Sequence, residues 1–342
     1  MKLSELGEFG LIDLIRNISD KFKNPEHASW QQLLVGIGDD AAAWQSNNHV
    51  QLATTDTLVQ DMHFDLNTIT WEELGWKALA VNLSDIAAMG GVPLYALISL
   101  SLPGEVEVEN IGKFYNGMMH LAEQFEVAIA GGDIVAAPNI VITVTVMGYS
   151  KYKTILKRST AIAGEQIAVT GYLGLSAAGL ETLKGKISLD PKISNILAQG
   201  HLHPMPKVKE GQILVEQGVK TAIDISDGLI ADLDHICENS KVSARIKIEQ
   251  VPVHPLVKAD FPNYQQLALY GGEDYELLFT ADKEILGQAK QALNCPVTVI
   301  GDITEEKLPQ RVTIVDSKGN VIRYKRGGWE HFKDEASKAK FA

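Results

Sequence analysis

The strongest constraint on what this chain can fold into is a recurring pattern that places aspartate just after a short apolar run or on a helix turn. GIGDD brings Asp39 and Asp40, ATTDT brings Asp56, NLSD brings Asp85, AGGD brings Asp133, and DISDG brings Asp224 and Asp227. A strand that ends in aspartate delivers a carboxylate to the rim of a sheet, where loops from several strands converge. Any one of these segments is what turns and helix caps produce, since Asp and Gly are common turn formers and Asp caps helices well. Seven aspartates in such settings exceed what turns alone supply. Brought together they would repel strongly, and Mg²⁺ relieves that repulsion while leaving coordination positions for phosphate oxygens.

The segments between the acids read as alternating strands and helices. Strands are expected at Leu33–Ile37, His49–Thr54, Leu94–Leu102, Val127–Ala130 and Ile140–Met147. Thr70 with Glu73 forms a capping box that opens a helix through Val81, and Val108–Phe125 is a second amphipathic candidate interrupted by Gly112 and Gly117. A basic, loop-like stretch from Ser150 to Gly164 follows. Beyond it a strand is expected at Gln166–Thr170, a turn at Gly171–Gly174 and a helix at Ser176–Leu183. Further strands are expected at Thr221–Ile225, Ala244–Ile248, Glu276–Thr280, Val297–Ile300 and Arg311–Val315. At 342 residues the chain is long enough for two cores. The reading is two mixed α/β (α+β) domains, 1–150 and 151–342.

Composition narrows the partners. A net charge of −12, from 43 acidic against 31 basic residues, speaks against a polyanionic partner such as nucleic acid, and no Lys/Arg run interleaved with aromatics appears. Cys237 and Cys295 are far apart and form no CxxC or Cys/His pattern, so they read as two reduced core thiols. Met1–Leu14 has no signal-peptide core, and no apolar run reaches membrane-spanning length, so a cytoplasmic location away from membranes is expected. There is no GxxxxGK[ST] loop and no HRD or DFG triplet. Gly171-Tyr172-Leu173-Gly174 ahead of a helix reads as a weak phosphate cradle, and Gly131-Gly132 and Gly271-Gly272 as places where backbone approaches a ligand.

Taken in order, GEFGLI at 7–12, VGIGDDAA, TTDTLVQDMHF, KALAVNLSDIAAMGG, GGD, KRS, DISDGL, GGEDYELLFT and GGWEHF at 327–332 resemble the thiamine-monophosphate kinases over essentially the whole chain. The resemblance implies a two-domain PurM-like architecture: a homodimer whose N-terminal sheets pair into a shared barrel, with an α+β C-terminal domain covering the cleft. It implies transfer of the ATP γ-phosphoryl group to thiamine monophosphate, giving thiamine diphosphate and ADP with several Mg²⁺ ions. Position by position, Asp40, Thr54, Thr55, Asp56, Asp85, Asp133, Asp224 and Asp227 match the metal-binding residues. Gly132, Asp133, Arg158 and Ser226 match nucleotide contacts, and His63, Glu273 and Trp329 match contacts to the thiamine substrate. The chain departs from the pattern at Ile134, where Thr is usual after GGD, and at His203 and Lys207, where arginines are usual. Because the acceptor is a phosphate oxygen, already anionic near neutral pH, no general base is assigned.

Two other readings compete. One is an ATP-using synthetase of the same superfamily, acting on an aminoimidazole-ribonucleotide precursor or on selenide; the second of these normally brings a reactive cysteine near the N-terminus, and no cysteine here precedes residue 237. The other is a regulator that binds metal and nucleotide without turnover.

Overall fold

The computed structural model describes residues 31–46, 49–187, 189–305 and 310–322. Its first half is a six-stranded sheet formed by β1 (Leu33–Val35), β2 (Ala42–Ser46), β3 (His49–Val59), β4 (Val92–Leu102), β5 (Ala128–Ala136) and β6 (Val141–Ser150). The strand order is β1-β2-β3-β6-β4-β5, antiparallel throughout except for the parallel β4–β5 pair. That parallel pair needs a crossover, which α2 (Val108–Gln124) supplies.

Helix α1 (Trp71–Ala88) starts at the expected capping box, with Thr70 accepting from the Glu73 amide at 3.2 Å and its own amide donating to Glu73 at 2.8 Å. It runs on through NLSD, one turn and more beyond Val81, so Asp85 takes the helix-turn setting. The continuation follows from its surroundings. Residues Ala78 to Ser84 are all buried, because α1 packs against the first sheet on one side and strands of the second on the other. A helix apolar nearly all round is one enclosed by its protein.

Two glycines explain how α2 sits so close to α1. A Cβ on Gly117 would lie 1.8 Å from the Glu72 carbonyl oxygen, and one on Gly75 would lie 1.8 Å from that of Phe114. The backbones touch there, so the glycine that weakens α2 as an isolated helix is what allows it to pack. Strand β5 likewise runs past its expected end at Ala130, because Leu97, Ile98 and Ser99 pair in register with Gly131, Gly132 and Asp133.

The second half holds seven strands: β7 (Gln166–Thr170), β8 (Thr221–Asp224), β9 (Ser243–Lys247), β10 (Leu277–Ala281), β11 (Val297–Thr304), β12 (Val312–Val315) and β13 (Val321–Ile322). Their order is β13-β12-β9-β11-β7-β10-β8, antiparallel except for β9–β12. Helices α3 (Leu175–Leu183), α4 (Pro191–Leu202), α5 (Val208–Glu216), α6 (Leu229–Ser240), α7 (Pro255–Asp260), α8 (Tyr264–Tyr270) and α9 (Lys283–Ala292) fill the connections. The fold is a two-domain one of mixed α/β content, and neither sheet closes on itself. The segment between β6 and β7 is not a solvated linker. Leu156 is fully buried, and the amides of Leu156 and Lys157 donate to the carbonyls of Met89 and Lys220.

Candidate active site

The acids converge where α1 ends between the two sheets. Asp85 hangs from the last turns of α1, Asp224 closes β8, and Asp40 precedes β2. One carboxylate oxygen from each lies within 4.8 Å of the others. Neighbouring hydroxyls fix two of them: Thr54 Oγ1 of β3 donates to Asp85 Oδ2 at 2.5 Å, and Ser84 Oγ donates to Asp224 Oδ2 at 2.7 Å. Asp56, two residues along β3, shares the helix-facing side with Thr54, and its amide donates to Asn82 Oδ1 at 3.1 Å. Asp56 therefore enters from the middle of a strand.

One cation answers this cluster. The Arg158 guanidinium grips Asp40 through Nε at 3.0 Å and Nη2 at 2.5 Å, while its amide donates to Asp39 at 3.2 Å. That is too little positive charge. Burial, then the charges of Asp56, Asp224 and Asp40, push the Asp85 carboxyl well above its usual range. Burial and then Asp40 do the same to Asp224, and Asp39 is raised to about 7 by burial and its neighbour Asp40. Buried acids held this close, with hydroxyls at their flanks, form an oxygen-only donor set that suits a hard divalent cation.

Two loops complete the cleft. In DISDG, the amides of Asp227 and Gly228 donate to Asp232 Oδ2 at 3.2 and 3.0 Å, an internal cap that sets the turn. Ser226 accepts from the Glu273 amide at 2.8 Å, so the GGED loop is laid directly on it. Glu273 takes a left-handed conformation at φ 65°, rare for a residue with a Cβ. Both of its carboxylate oxygens lie 3.0 Å from Lys77 Nζ. Burial raises its pKa, but Lys77, His201 and His63 outweigh that and leave it below the ordinary value. His63 itself accepts from the Val59 amide through Nδ1 at 3.0 Å.

Other expected residues are placed elsewhere. Thr55 points to the opposite sheet face, where its hydroxyl meets Thr145 at 2.9 Å. Gly132 and Asp133 sit on the edge strand β5. Register links Asp56 to Val144, Ile98 and Gly132 in turn, three strand spacings or about 14 Å. Asp133 pairs with Ser99, on the face turned away from α1. Trp329 lies outside the described residues. The phosphate cradle at Gly171–Gly174 is overturned: Asp274 occupies it, accepting from the amides of Gly174 at 2.7 Å and Ser176 at 3.2 Å, so an internal carboxylate caps α3. His203 rests edge-on against Trp76 with centroids 5.2 Å apart, and Lys207 pairs with Glu276 at 3.1 Å. Cys237 is buried, Cys295 half-buried, and both are free thiols.

Sequence reading passes over Ser84, Asn82, Lys77, Asp232 and His201, although the first three lie within KALAVNLSD. Their signal is period: Lys77 and Ser84, two turns apart, share the α1 side that meets the second half of the chain, while Asn82 and Asp85 reach β3, visible only once α1 is known to run to Ala88.

The AIR synthase related protein family matches in two pieces, its N-terminal domain over residues 38–150 and its C-terminal domain over residues 163–312. The chain is 37% identical over 330 residues to the thiamine-monophosphate kinase of Bacillus subtilis (strain 168), covering 94% of this chain and 99% of that protein. It is 40% identical over 320 residues to the thiamine-monophosphate kinase of Haemophilus influenzae, covering 89% and 95%. A solved structure described as AaThiL complexed with AMPPCP and TMP superposes with a TM-score of 0.82 at 34% identity, covering 97% of this chain and 99% of that one.

Proposed function

The chain belongs to the AIR synthase related family and, within it, to the thiamine-monophosphate kinases, and on that premise we propose how its own residues carry the reaction. It is an ATP-dependent phosphotransferase acting on thiamine monophosphate, like the relatives it matches. The observation that carries the site is the meeting of Asp40, Asp85 and Asp224 within 4.8 Å. These three, with Asp56, Asp227 and the Thr54 hydroxyl, would hold Mg²⁺. When bound, Mg²⁺ neutralises the phosphate oxygens of ATP and of the acceptor and so lets two polyanions meet.

Around that set the protein positions rather than reacts. Thr54 and Ser84 fix which oxygens of Asp85 and Asp224 face inward. Arg158 restrains Asp40 through Nε and Nη2 and offers its remaining guanidinium N–H groups to the nucleotide phosphates. Ser226 presents the loop that borders the nucleotide, and His63, Glu273 and Trp329 receive the thiamine moiety. The acceptor oxygen is already an anion, so no side chain has to remove a proton.

Residues 1–150 and 151–342 form the two domains. Tyr95 and Leu97 of β4 and Val135 of β5 leave an apolar patch on the face away from α1, at 49%, 39% and 45% exposure, and the Thr55–Thr145 and Thr57–Thr143 hydroxyl pairs lie on the same face. Such a patch on an edge of a sheet marks a self-association surface. Two copies meeting there form the homodimer and its shared barrel, with Thr55 and Asp133 serving the metal and Gly132 and Asp133 the nucleotide. Among the described residues no helix is long and apolar enough to cross a membrane; the cytoplasm is the proposed location.

The test is a coupled assay of ADP release with thiamine monophosphate, thiamine and an aminoimidazole-ribonucleotide precursor offered separately. Release with thiamine monophosphate alone, dependent on Mg²⁺, is the expected result. No release with that substrate overturns the reading.

A further inference from the structure

Lys77 is 1% exposed and stands among the apolar residues of α1, yet nothing in the phosphoryl transfer uses it. A charge so deep is kept only where it is paired and hydrogen-bonded. Its partners are all in the second half of the chain: Glu273 Oε1 and Oε2, each at 3.0 Å, and His201 Nε2 at 3.3 Å. An ammonium group can only donate, so His201 Nε2 is the accepting nitrogen and the ring proton sits on Nδ1. That proton faces Ser176 Oγ at 2.9 Å and Glu273 Oε2 at 3.3 Å. The Glu273 carboxylate is thus held from behind by α1, with α4 supporting it through His201.

Glu273 needs such support. Its backbone is left-handed, as is that of Tyr275 two residues on, and its side chain keeps 30% of its surface open to the cleft. A carboxylate on a strained loop, released from Lys77, would rotate among several orientations, and each disfavoured rotamer lost costs binding. We propose that Lys77 is a positioning residue for substrate recognition: it clamps Glu273 from inside the molecule so that the carboxylate lone pairs meet an N–H donor of the thiamine moiety in one fixed direction. The compensating charge means that Glu273 acts as an oriented acceptor rather than as a free counter-charge. This rests on the reading that Glu273 touches the thiamine substrate.

Three variants separate the two ideas: Glu273→Gln, Lys77→Met, and both together, each measured for the KM of thiamine monophosphate, the KM of ATP, kcat and the thermal midpoint. The expected result is that each single change raises the KM for thiamine monophosphate about ten-fold or more, as for loss of one charge-assisted hydrogen bond. The KM for ATP stays within about two-fold, and the double variant is no worse than Glu273→Gln alone. If Glu273→Gln raises that KM and Lys77→Met does not, the positioning role is overturned while Glu273 remains a substrate residue. If Glu273→Gln changes nothing, the role of Glu273 falls and the clamp with it. Should Lys77→Met fail to fold, Glu273→Gln against the double variant decides alone, since the latter buries no unpaired charge; a further ten-fold loss in the double variant would show that Lys77 acts by some other route and overturn the proposal.

Discussion

The tension in this site is between charge and stability, and it is carried by single residues. Asp85 and Asp224 are buried acids whose carboxyls are pushed well above their usual range by burial and then by neighbouring carboxylates, Asp56 and Asp224 beside Asp85 and Asp40 beside Asp224. In the absence of a cation they destabilise the fold, so Asp85→Asn, which retains an acceptor for the Thr54 hydroxyl, is expected to leave the metal-free thermal midpoint unchanged or higher. The same change should lower turnover about a hundred-fold, or about 2.7 kcal/mol of transition-state stabilisation. Thermal melts with and without Mg²⁺ check the first part, since the variant should lose most of the midpoint gain that Mg²⁺ gives the wild type. His201 makes a second prediction, with the opposite dependence on charge. Burial and then the Lys77 charge lower its pKa to about 4. The unfolded chain binds a proton below about pH 6.5 that the folded protein refuses until about pH 4, so stability is full above that window and falls as pH drops through it. The loss reaches about 2 kcal/mol by pH 5, and the unfolding free energies from urea melts at pH 7.5 and 5 should differ less by about that amount in His201→Gln.

Among the elements, α1 does the most to build the site, and its contact with α2 is unusually close. Gly117→Ala inserts a methyl 1.8 Å from the Glu72 carbonyl oxygen and must push the helices apart. We expect a loss of about 1–3 kcal/mol from overpacking, larger than the helix-propensity gain of about 1 kcal/mol. Gly112, on the same helix, meets nothing within 4 Å, so Gly112→Ala should gain up to about 1 kcal/mol. Urea unfolding of the two variants side by side distinguishes close packing from simple propensity. Equal responses would mean that the α1–α2 contact does not govern stability.

In the whole molecule, the two halves are joined by contacts rather than by a strand. Gly211 of α5 lies against the Ala87 carbonyl at the end of α1, Lys77 reaches Glu273, and Ser84 reaches Asp224. The proposed second copy adds another level. Leu97→Glu places a charge on the apolar face of β4 at a position 39% exposed, which a single folded protomer tolerates. On the proposed dimer, light scattering should report a monomer for the variant and a dimer for the wild type, and turnover should fall with it on the role proposed for Asp133. A dimeric variant with wild-type turnover would remove this face from the assembly.

What the sequence by itself determined is the set of groups and most of the scaffold. The capping box at Thr70, the long strands and the acids after apolar runs are local patterns, readable because the physics that sets them acts over a few residues. Resemblance supplied the reaction. It was the tertiary structure that decided which acids meet. The capping box starts α1 but does not say where it stops: burial on both sides carries the helix past Asp85, and pleating sends Thr54 inward and Thr55 out though they are neighbours in the chain. Asp274, which no local pattern singles out, fills the helix terminus that a phosphate was expected to take. Nothing near Lys77 in the chain marks it, and only the arrival of Glu273 and His201, 196 and 124 residues along the chain, gives its charge a reason to be buried. Distances of that kind are fixed by how two sheets close on one helix, which no short stretch of sequence contains.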